Sequence, residues 1–216
     1  GLGDVYKRQG HVGSLIREYA SLWGFRVVCC DPPREEREHC GFLPLEEVAR
    51  EADLLTFHTP LDASTRHMAG EGLLARLKPG AVVMNSSRGE VVDGDALLRS
   101  GHPCVLDVWE HEPHLDPQLL DRALLATPHV AGYSEQGKAT ATAMSVATLA
   151  GFFGLPLRGW YPSEAAPSVP RPIPWQELCT TIGDAYDIEA ESCRLKARPA
   201  DFEAMRDHYR YRREYF

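Results

Sequence analysis

The stretch GHVGSLIREYASLWGFRVVCCD, residues 10–31, decides the fold. Its first four residues match the second half of Gly-x-Gly-x-x-Gly, where one glycine lets a pyrophosphate approach and the next lets helix and strand pack closely. Arg8 stands where the first glycine of that pattern would be. The stretch ends in an apolar strand followed by Asp31. We therefore predict a dinucleotide site that includes Gly10, His11, Val12, Gly13 and Asp31.

Asp31 also indicates which dinucleotide would bind. A carboxylate at the end of this strand can accept hydrogen bonds from both ribose hydroxyls, and it repels the 2′-phosphate of NADP. The sequence thus favours NAD. The alternative is that Asp31 is an ordinary turn residue before Pro32 and Pro33.

The rest of the chain alternates between short apolar runs and helical periodicity. We predict strands over residues 25–30, 54–58, 81–85, 103–107 and 124–127, with amphipathic helices over 45–52, 70–77 and 93–100. This alternation is typical of βαβ units. The predicted fold class is α/β, a doubly wound parallel Rossmann-type sheet. A long helix is expected over 134–154.

The two ends of the chain differ from this core. Residues 1–9 are polar where an apolar first strand is expected, so we interpret them as a non-native leader and the first strand as missing. Residues 10–155 form the predicted NAD-binding and catalytic domain. Residues 156–174 are rich in proline and predict a linker, and residues 175–216 predict a small C-terminal unit with helices over 175–188 and 199–216.

Composition excludes several classes of protein. A formal net charge of -8 disfavours nucleic acid and anionic membranes as partners, and no apolar run is long enough for a membrane helix. We expect a cytoplasmic enzyme. The six cysteines and nine histidines show no disulfide or metal-ligand spacing, so we predict reduced thiols and no metal.

Two polar positions follow predicted strands, at the sheet edge where ligands bind in open α/β folds. Thr59 could bond a cofactor, although the Thr59–Pro60 pair could also simply end its strand. Arg88 follows the strand over 81–85, and a guanidinium there suits the carboxylate of a small acid. A surface arginine in a turn is the alternative.

A carboxylate and an imidazole follow the next two strands. Glu112 comes after the strand over 103–107, and His129 comes after the strand over 124–127. A neighbouring carboxylate raises the basicity of a histidine and fixes its tautomer, so His129 is a candidate proton acceptor. Asp107 and Glu110 are rival carboxylates for the same role.

Together these residues resemble a known catalytic triad. Arg88, Glu112 before Pro113, and His129 within Pro-His-Val-Ala-Gly are similar to the arginine, glutamate and histidine of the D-2-hydroxyacid dehydrogenase family, over about residues 10–154. The resemblance implies an NAD-dependent enzyme that oxidises a 2-hydroxy acid. It also implies that Arg88 and Tyr133 contact substrate and that NAD contacts Asp31, Thr59, Ser86, Ser87, Arg88, Asp107 and Gly132.

The tail, from about residue 201 onward, resembles the α+β dimerisation domain of one branch of that family. The resemblance implies a homodimer and a small phosphorylated 2-hydroxy acid as substrate. One alternative is a dehydrogenase for another acid, such as 3-phosphoglycerate, glyoxylate or hydroxypyruvate. Another is a non-catalytic NAD-sensing corepressor, which would not need to keep the arginine, glutamate and histidine together.

Overall fold

The computed structural model describes residues 3–7, 11–39, 41–165 and 173–214. Its centre is a six-stranded sheet in the order β2-β1-β3-β4-β5-β6, with every neighbouring pair parallel. The carboxyl ends of all strands therefore lie at one edge, and the order reverses at β1, where such sheets bind ligands. The predicted parallel sheet is confirmed. The strands are β1 (Gly3–Lys7), β2 (Arg26–Cys30), β3 (Leu54–Phe57), β4 (Val82–Asn85), β5 (Cys104–Leu106) and β6 (Leu125–Ala126).

The helices begin and end at residues that satisfy exposed backbone groups. Asp93, for example, accepts the Ala96 N–H at 2.8 Å at the start of α5, and Gly101 ends that helix with a φ of 79°. The helices of the described residues are α1 (His11–Leu22), α2 (Pro32–Glu38), α3 (Leu45–Glu51), α4 (Glu71–Leu74), α5 (Gly94–Ser100), α6 (Pro117–Arg122), α7 (Glu135–Phe153), α8 (Trp175–Ala185), α9 (Ile188–Ala197) and α10 (Phe202–Asp207), with 3₁₀ turns at Gly89–Val91 and Pro199–Asp201.

Each of the five predicted strands is present, slightly shorter than the apolar run that predicted it. Leu55, Val83 and Leu106, on three adjacent strands, are almost fully buried. Parallel sheets have helices on both faces, so their strands are apolar throughout rather than on alternate residues. This explains why continuous apolar runs located the strands correctly.

The first strand, expected to be missing, is present. Residues 3–7 form β1, which pairs with β2 on one side and with Leu54 and Leu55 of β3 on the other. At least residues 3–7 of the predicted leader therefore belong to the fold. Strand pairing uses backbone N–H and C=O groups, which nearly every residue carries, so a polar composition does not prevent it.

The chain divides into two compact units whose boundaries differ from the predicted ones. The first unit is Gly1–His129 with Glu189–Arg206, and the second is Val130–Ile188 with Asp207–Phe216. Helices α9 and α10 belong to the first unit because Leu195 and Phe202 are buried in its core, with at most 1% exposure. The predicted linker over 156–174 lies partly outside the described residues.

The second unit contains α7, α8 and the end of the chain. Ser134 caps α7 by accepting the Gly137 N–H at 2.8 Å. The predicted helix over 199–216 is wrong beyond Asp207, because Arg212 instead forms a parallel bridge with Ser134 and accepts the Glu135 N–H at 2.9 Å. The backbone groups that a longer helix would satisfy internally are thus used in pairing.

No helix in the described part of the chain combines the length and the apolar character needed to cross a bilayer.

The position of the tail helix predicts a large effect of one substitution. Phe202→Ala should lower the free energy of unfolding by about 3 to 5 kcal/mol, since it leaves a cavity in the core. Denaturant unfolding measures this. Phe152→Ala is the matched control: Phe152 is 83% exposed, and a change below about 0.5 kcal/mol is expected. Equal, small effects of both substitutions would contradict the placement of Phe202.

Candidate active site

Glu112 and His129 form a direct pair. His129 Nδ1 lies 2.8 Å from Glu112 Oε2, and the other carboxylate oxygen accepts the Trp109 N–H at 2.8 Å. An ionised carboxylate only accepts hydrogen bonds, so the proton of the imidazole belongs on Nδ1 and Nε2 keeps its lone pair. The side chains are 21% and 25% exposed, so a substrate can reach them.

Asp107 fixes the backbone that carries this pair. Its carbonyl accepts the His129 N–H at 2.8 Å, and its Oδ1 accepts the Thr127 hydroxyl at 2.7 Å. The Trp109 indole donates to the Thr127 carbonyl at 3.0 Å. His129 has a φ of 57°, a conformation that non-glycine residues adopt only when their surroundings impose it. Of the two rival carboxylates, Asp107 therefore holds the loop after β6 rather than the imidazole.

Arg88 lies at the end of β4, the strand next to β5. Asn85 shapes its loop: the side-chain amide donates to the Arg88 carbonyl at 2.7 Å, and the side-chain oxygen accepts the Ser87 hydroxyl at 2.8 Å. The guanidinium of Arg88 donates to the Ser87 carbonyl at 2.6 Å and is exposed. Ser86 is partly exposed and Ser87 is buried. An exposed cation thus lies at the same sheet edge as the Glu112–His129 pair.

Gly89 lets the loops after β4 and β5 approach each other. A Cβ added at this position would overlap the Trp109 carbonyl and lie 2.6 Å from the Glu110 nitrogen. Only glycine fits such a contact between two backbones. Sequence reasoning missed both Gly89 and Asn85, although the glycine beside Arg88 was a visible signal.

Two of the residues predicted to bind NAD, Asp31 and Thr59, follow β2 and β3, the strands on either side of β1, where the strand order reverses. Asp31 follows β2, is 3% exposed, and caps α2 by accepting the Arg34 N–H at 3.2 Å. Thr59 follows β3 and is 4% exposed, with its hydroxyl donating to the Pro60 carbonyl at 3.2 Å. The Asp31 carboxylate suits the hydroxyls of a ribose. The N-terminus of α1, which begins at His11 after β1, suits the pyrophosphate of a dinucleotide. Gly13 is buried and Val12 exposed on that helix, and Gly10 lies outside the described residues.

Gly132 and Tyr133 belong to the second unit. Gly132 has a φ of 81°, and its carbonyl accepts the Ser134 N–H at 3.0 Å. The Tyr133 ring packs edge-to-face against Tyr211, and the Lys138 ammonium lies 3.8 Å from its centre. The structure thus brings together Arg88, Glu112 and His129 in one unit and places these two predicted contacts in the other.

His58 is a half-buried histidine that directly follows β3. Its Nε2 lies 3.2 Å from the Thr56 hydroxyl. Burial lowers the pKa of the His58 imidazole to about 4, because the charged form loses hydration. His58 is therefore neutral near pH 7.

Within the described ranges, no three His, Cys, Asp or Glu side chains are placed to hold a metal ion together. No disulfide joins the described cysteines.

Comparison with known proteins identifies the family. Residues 9–131 match the family described as D-isomer specific 2-hydroxyacid dehydrogenase, NAD binding domain, and the chain belongs to it. Its sequence is similar to erythronate-4-phosphate dehydrogenases: 41% identical to that of Bacteroides fragilis over 95% of this chain, and 39% identical to that of Cronobacter sakazakii over the same share. The chain spans only 61% and 60% of those relatives.

A solved structure shows the same fold. The D-lactate dehydrogenase of Aquifex aeolicus, complexed with NAD and lactic acid, is 26% identical, with a TM-score of 0.58 over 71% of this chain and 54% of its own. The predicted Rossmann-type fold and the NAD-binding family are thus confirmed.

The contact at Gly89 predicts that a single methyl group destabilises the site. Gly89→Ala should lower the free energy of unfolding by about 1 to 3 kcal/mol, because the loops after β4 and β5 must separate. Gly159→Ala is the control: its Cβ would meet nothing within 4 Å, so a change within about 0.5 kcal/mol is expected. Denaturant unfolding distinguishes the two, and equal stability of both variants would argue against the close approach.

His58 predicts a pH dependence of stability. The folded protein holds this imidazole neutral down to about pH 4, whereas the unfolded chain protonates it near pH 6.5. His58 therefore does not reduce the free energy of unfolding above about pH 6.5. As the pH falls from 6.5 towards 4, the free energy of unfolding decreases by at most about 1.4 kcal/mol per pH unit, because the unfolded chain binds a proton that the folded protein does not. Unfolding measured between pH 4 and 7 should show a shallower slope for His58→Gln. Parallel curves for the two proteins would contradict the assignment.

Proposed function

We propose that this chain carries the cofactor-binding and proton-transfer part of an NAD-dependent dehydrogenase that oxidises 4-phospho-D-erythronate to its 2-oxo acid, 3-hydroxy-2-oxo-4-phosphobutanoate. The observation that carries the proposal is the 2.8 Å bond between Glu112 and His129, beside the strand end that presents Arg88. The relatives named erythronate-4-phosphate dehydrogenase support the choice of substrate.

His129 is the proposed proton acceptor. Oxidation at C2 of the substrate breaks one C–H and one O–H bond: the hydride leaves for the cofactor, and His129 Nε2 accepts the hydroxyl proton. Glu112 stabilises the imidazolium that forms, because its Oε2 already bonds Nδ1. A bound NAD supplies the hydride acceptor.

Arg88 is the proposed anchor for the substrate carboxylate. Its guanidinium can bond a carboxylate bidentately and can polarise the carbonyl that develops at C2. The bond to the Ser87 carbonyl and the Asn85 contacts hold the Arg88 loop in place before substrate arrives. Such preorganisation favours turnover because fewer groups must be ordered during the reaction.

For the cofactor, we propose contacts with the predicted residues around the strand reversal, led by the buried Asp31 carboxylate. This carboxylate favours NAD over NADP. The resemblance also leads us to propose Tyr133 as a substrate contact, a homodimer formed through residues 175–216, a cytoplasmic location, and a place in pyridoxal phosphate biosynthesis.

A hybrid protein tests the activity, because the chain spans only part of its relatives. In this hybrid, the chain replaces the region that it matches in the Bacteroides fragilis relative. NADH formation is measured with 4-phospho-D-erythronate, 3-phosphoglycerate, glycerate and D-lactate. Preference for erythronate phosphate supports the proposal. Preference for another acid would identify a different dehydrogenase, and NADH binding without turnover of any acid would favour the corepressor alternative.

Removing the proton acceptor gives a sharper prediction. His129→Asn in the hybrid should lower kcat by about a thousandfold or more, while the NADH affinity of the chain, measured by fluorescence titration, stays within about twofold. The control is His102→Asn. His102 precedes β5, at the opposite end of the strand from the pair, so near-normal turnover is expected. Near-normal turnover of His129→Asn would rule out the assigned role.

A further inference from the structure

Glu110 is a second carboxylate in the turn that carries Glu112. The two side chains bond different partners. Glu112 bonds His129, whereas Glu110 Oε1 lies 2.6 Å from Nε2 of His67. The other oxygen of Glu110 accepts the Gly94 N–H at 2.8 Å, at the start of α5. One short turn therefore holds two glutamate–histidine pairs, and the proposed reaction uses only one of them.

His67 is itself firmly held. Its N–H donates to the Glu90 carbonyl at 2.7 Å, and the neighbouring segment forms a parallel bridge between Ala69 and Val92. His67 Nδ1 also lies 3.9 Å from Oδ2 of Asp93, the cap of α5. The φ of His67 is 49°, which this residue adopts only because its surroundings fix it. Glu110 thus bonds a residue whose backbone is held in place.

The turn between the two glutamates can transmit this restraint. Glu112 Oε1 accepts the N–H of Trp109, the residue before Glu110, and His111 between the glutamates has a φ of 61°. The backbone of Gly89 packs against Trp109 and Glu110 from the side of β4. A shift of Glu110 therefore moves the backbone group that orients the Glu112 carboxylate.

The Glu110 carboxylate differs from that of an ordinary surface ion pair in its lower exposure and its second partner. The side chains of Glu110 and His67 are 17% and 41% exposed, whereas those of Asp53 and Lys78, next to the amino ends of the strands, are 34% and 41% exposed. Exposed pairs contribute little because water competes for both groups. Only the carboxylate of Glu110 is better shielded than its counterpart Asp53, and its second bond, to the Gly94 N–H, adds a restraint that is not shown for the exposed pair.

We infer that Glu110 and His67 form a clasp that positions Glu112 against His129. Neither residue touches the reacting atoms, so both are positioning residues. The inference rests on the proposed function for its effect on turnover, but its structural part stands independently. The clasp keeps the Glu112 carboxylate aligned with Nδ1, so that Nε2 faces substrate with its lone pair.

Kinetics of the hybrid protein test the effect on turnover. Glu110→Ala should lower kcat about 10- to 100-fold, with the KM for NAD within about twofold, because a small misplacement of a catalytic group is costly. Glu110→Gln should recover most of kcat, since its amide can accept from Gly94 N–H and donate to a neutral His67. Lys78→Met, the control that breaks the exposed pair, should leave kcat within about twofold.

A double-mutant cycle distinguishes positioning from general destabilisation. If Glu110 acts through Glu112, Glu110→Ala should cost less than about threefold in kcat when Glu112 is already glutamine. The full 10- to 100-fold loss in that background would overturn the inference. Should Glu110→Ala fail to fold, His67→Ala provides the same comparison.

Nuclear magnetic resonance of the chain alone tests the structural part without any turnover. With ¹⁵N-labelled histidine, the Nδ1 signal of His129 in Glu110→Ala should move towards its value in Glu112→Gln, and it should stay unchanged in Lys78→Met. An unchanged signal in folded Glu110→Ala and His67→Ala would refute the clasp. A hybrid without dehydrogenase activity would refute the proposed function instead and leave this result intact.

Discussion

The bond between Glu112 and His129 depends on the fixed distance between the ends of two parallel strands. Adjacent strands of a sheet lie about 4.8 Å apart, and this spacing varies little. Loops that leave two adjacent strands at the same edge therefore start at nearly fixed positions. Asp107 then ties the two loops together through the His129 N–H and the Thr127 hydroxyl. The two side chains are thereby carried by a fixed backbone, as the proposed proton transfer requires.

The neighbouring loop after β4 adds the third group. Arg88 is presented by a loop shaped by Asn85, and Gly89 lets that loop pack directly on the backbone of Trp109 and Glu110. The sheet therefore sets the spacing of the strand ends, and a few contacts between the loops fix where the side chains of the site lie. The proposed chemistry uses three side chains, but their placement uses backbone from three successive strands.

Much of the first unit could be predicted from the sequence. Apolar runs located five strands, because a strand covered on both faces must be apolar along its whole length. The strand β1 was not predicted because it is polar. A search for apolar runs considers only side chains, whereas strand pairing uses backbone groups. The end of the tail was predicted as helix, but Arg212 pairs with Ser134 instead, a contact between residues far apart in the chain. Burial of Phe202 in the first unit is equally non-local.

The sequence by itself determined which chemical groups stand at the ends of the strands, because a parallel sheet places every strand's carboxyl end at one edge. Strand spacing could not determine which carboxylate meets which histidine, and only the family resemblance singled out Glu112. Asp107, Glu110 and Glu112 follow the same strand and carry the same local signal. Only the tertiary structure directs Asp107 to Thr127, Glu110 to His67 and Glu112 to His129, since loop conformation and contacts with neighbouring loops decide what each short side chain can reach.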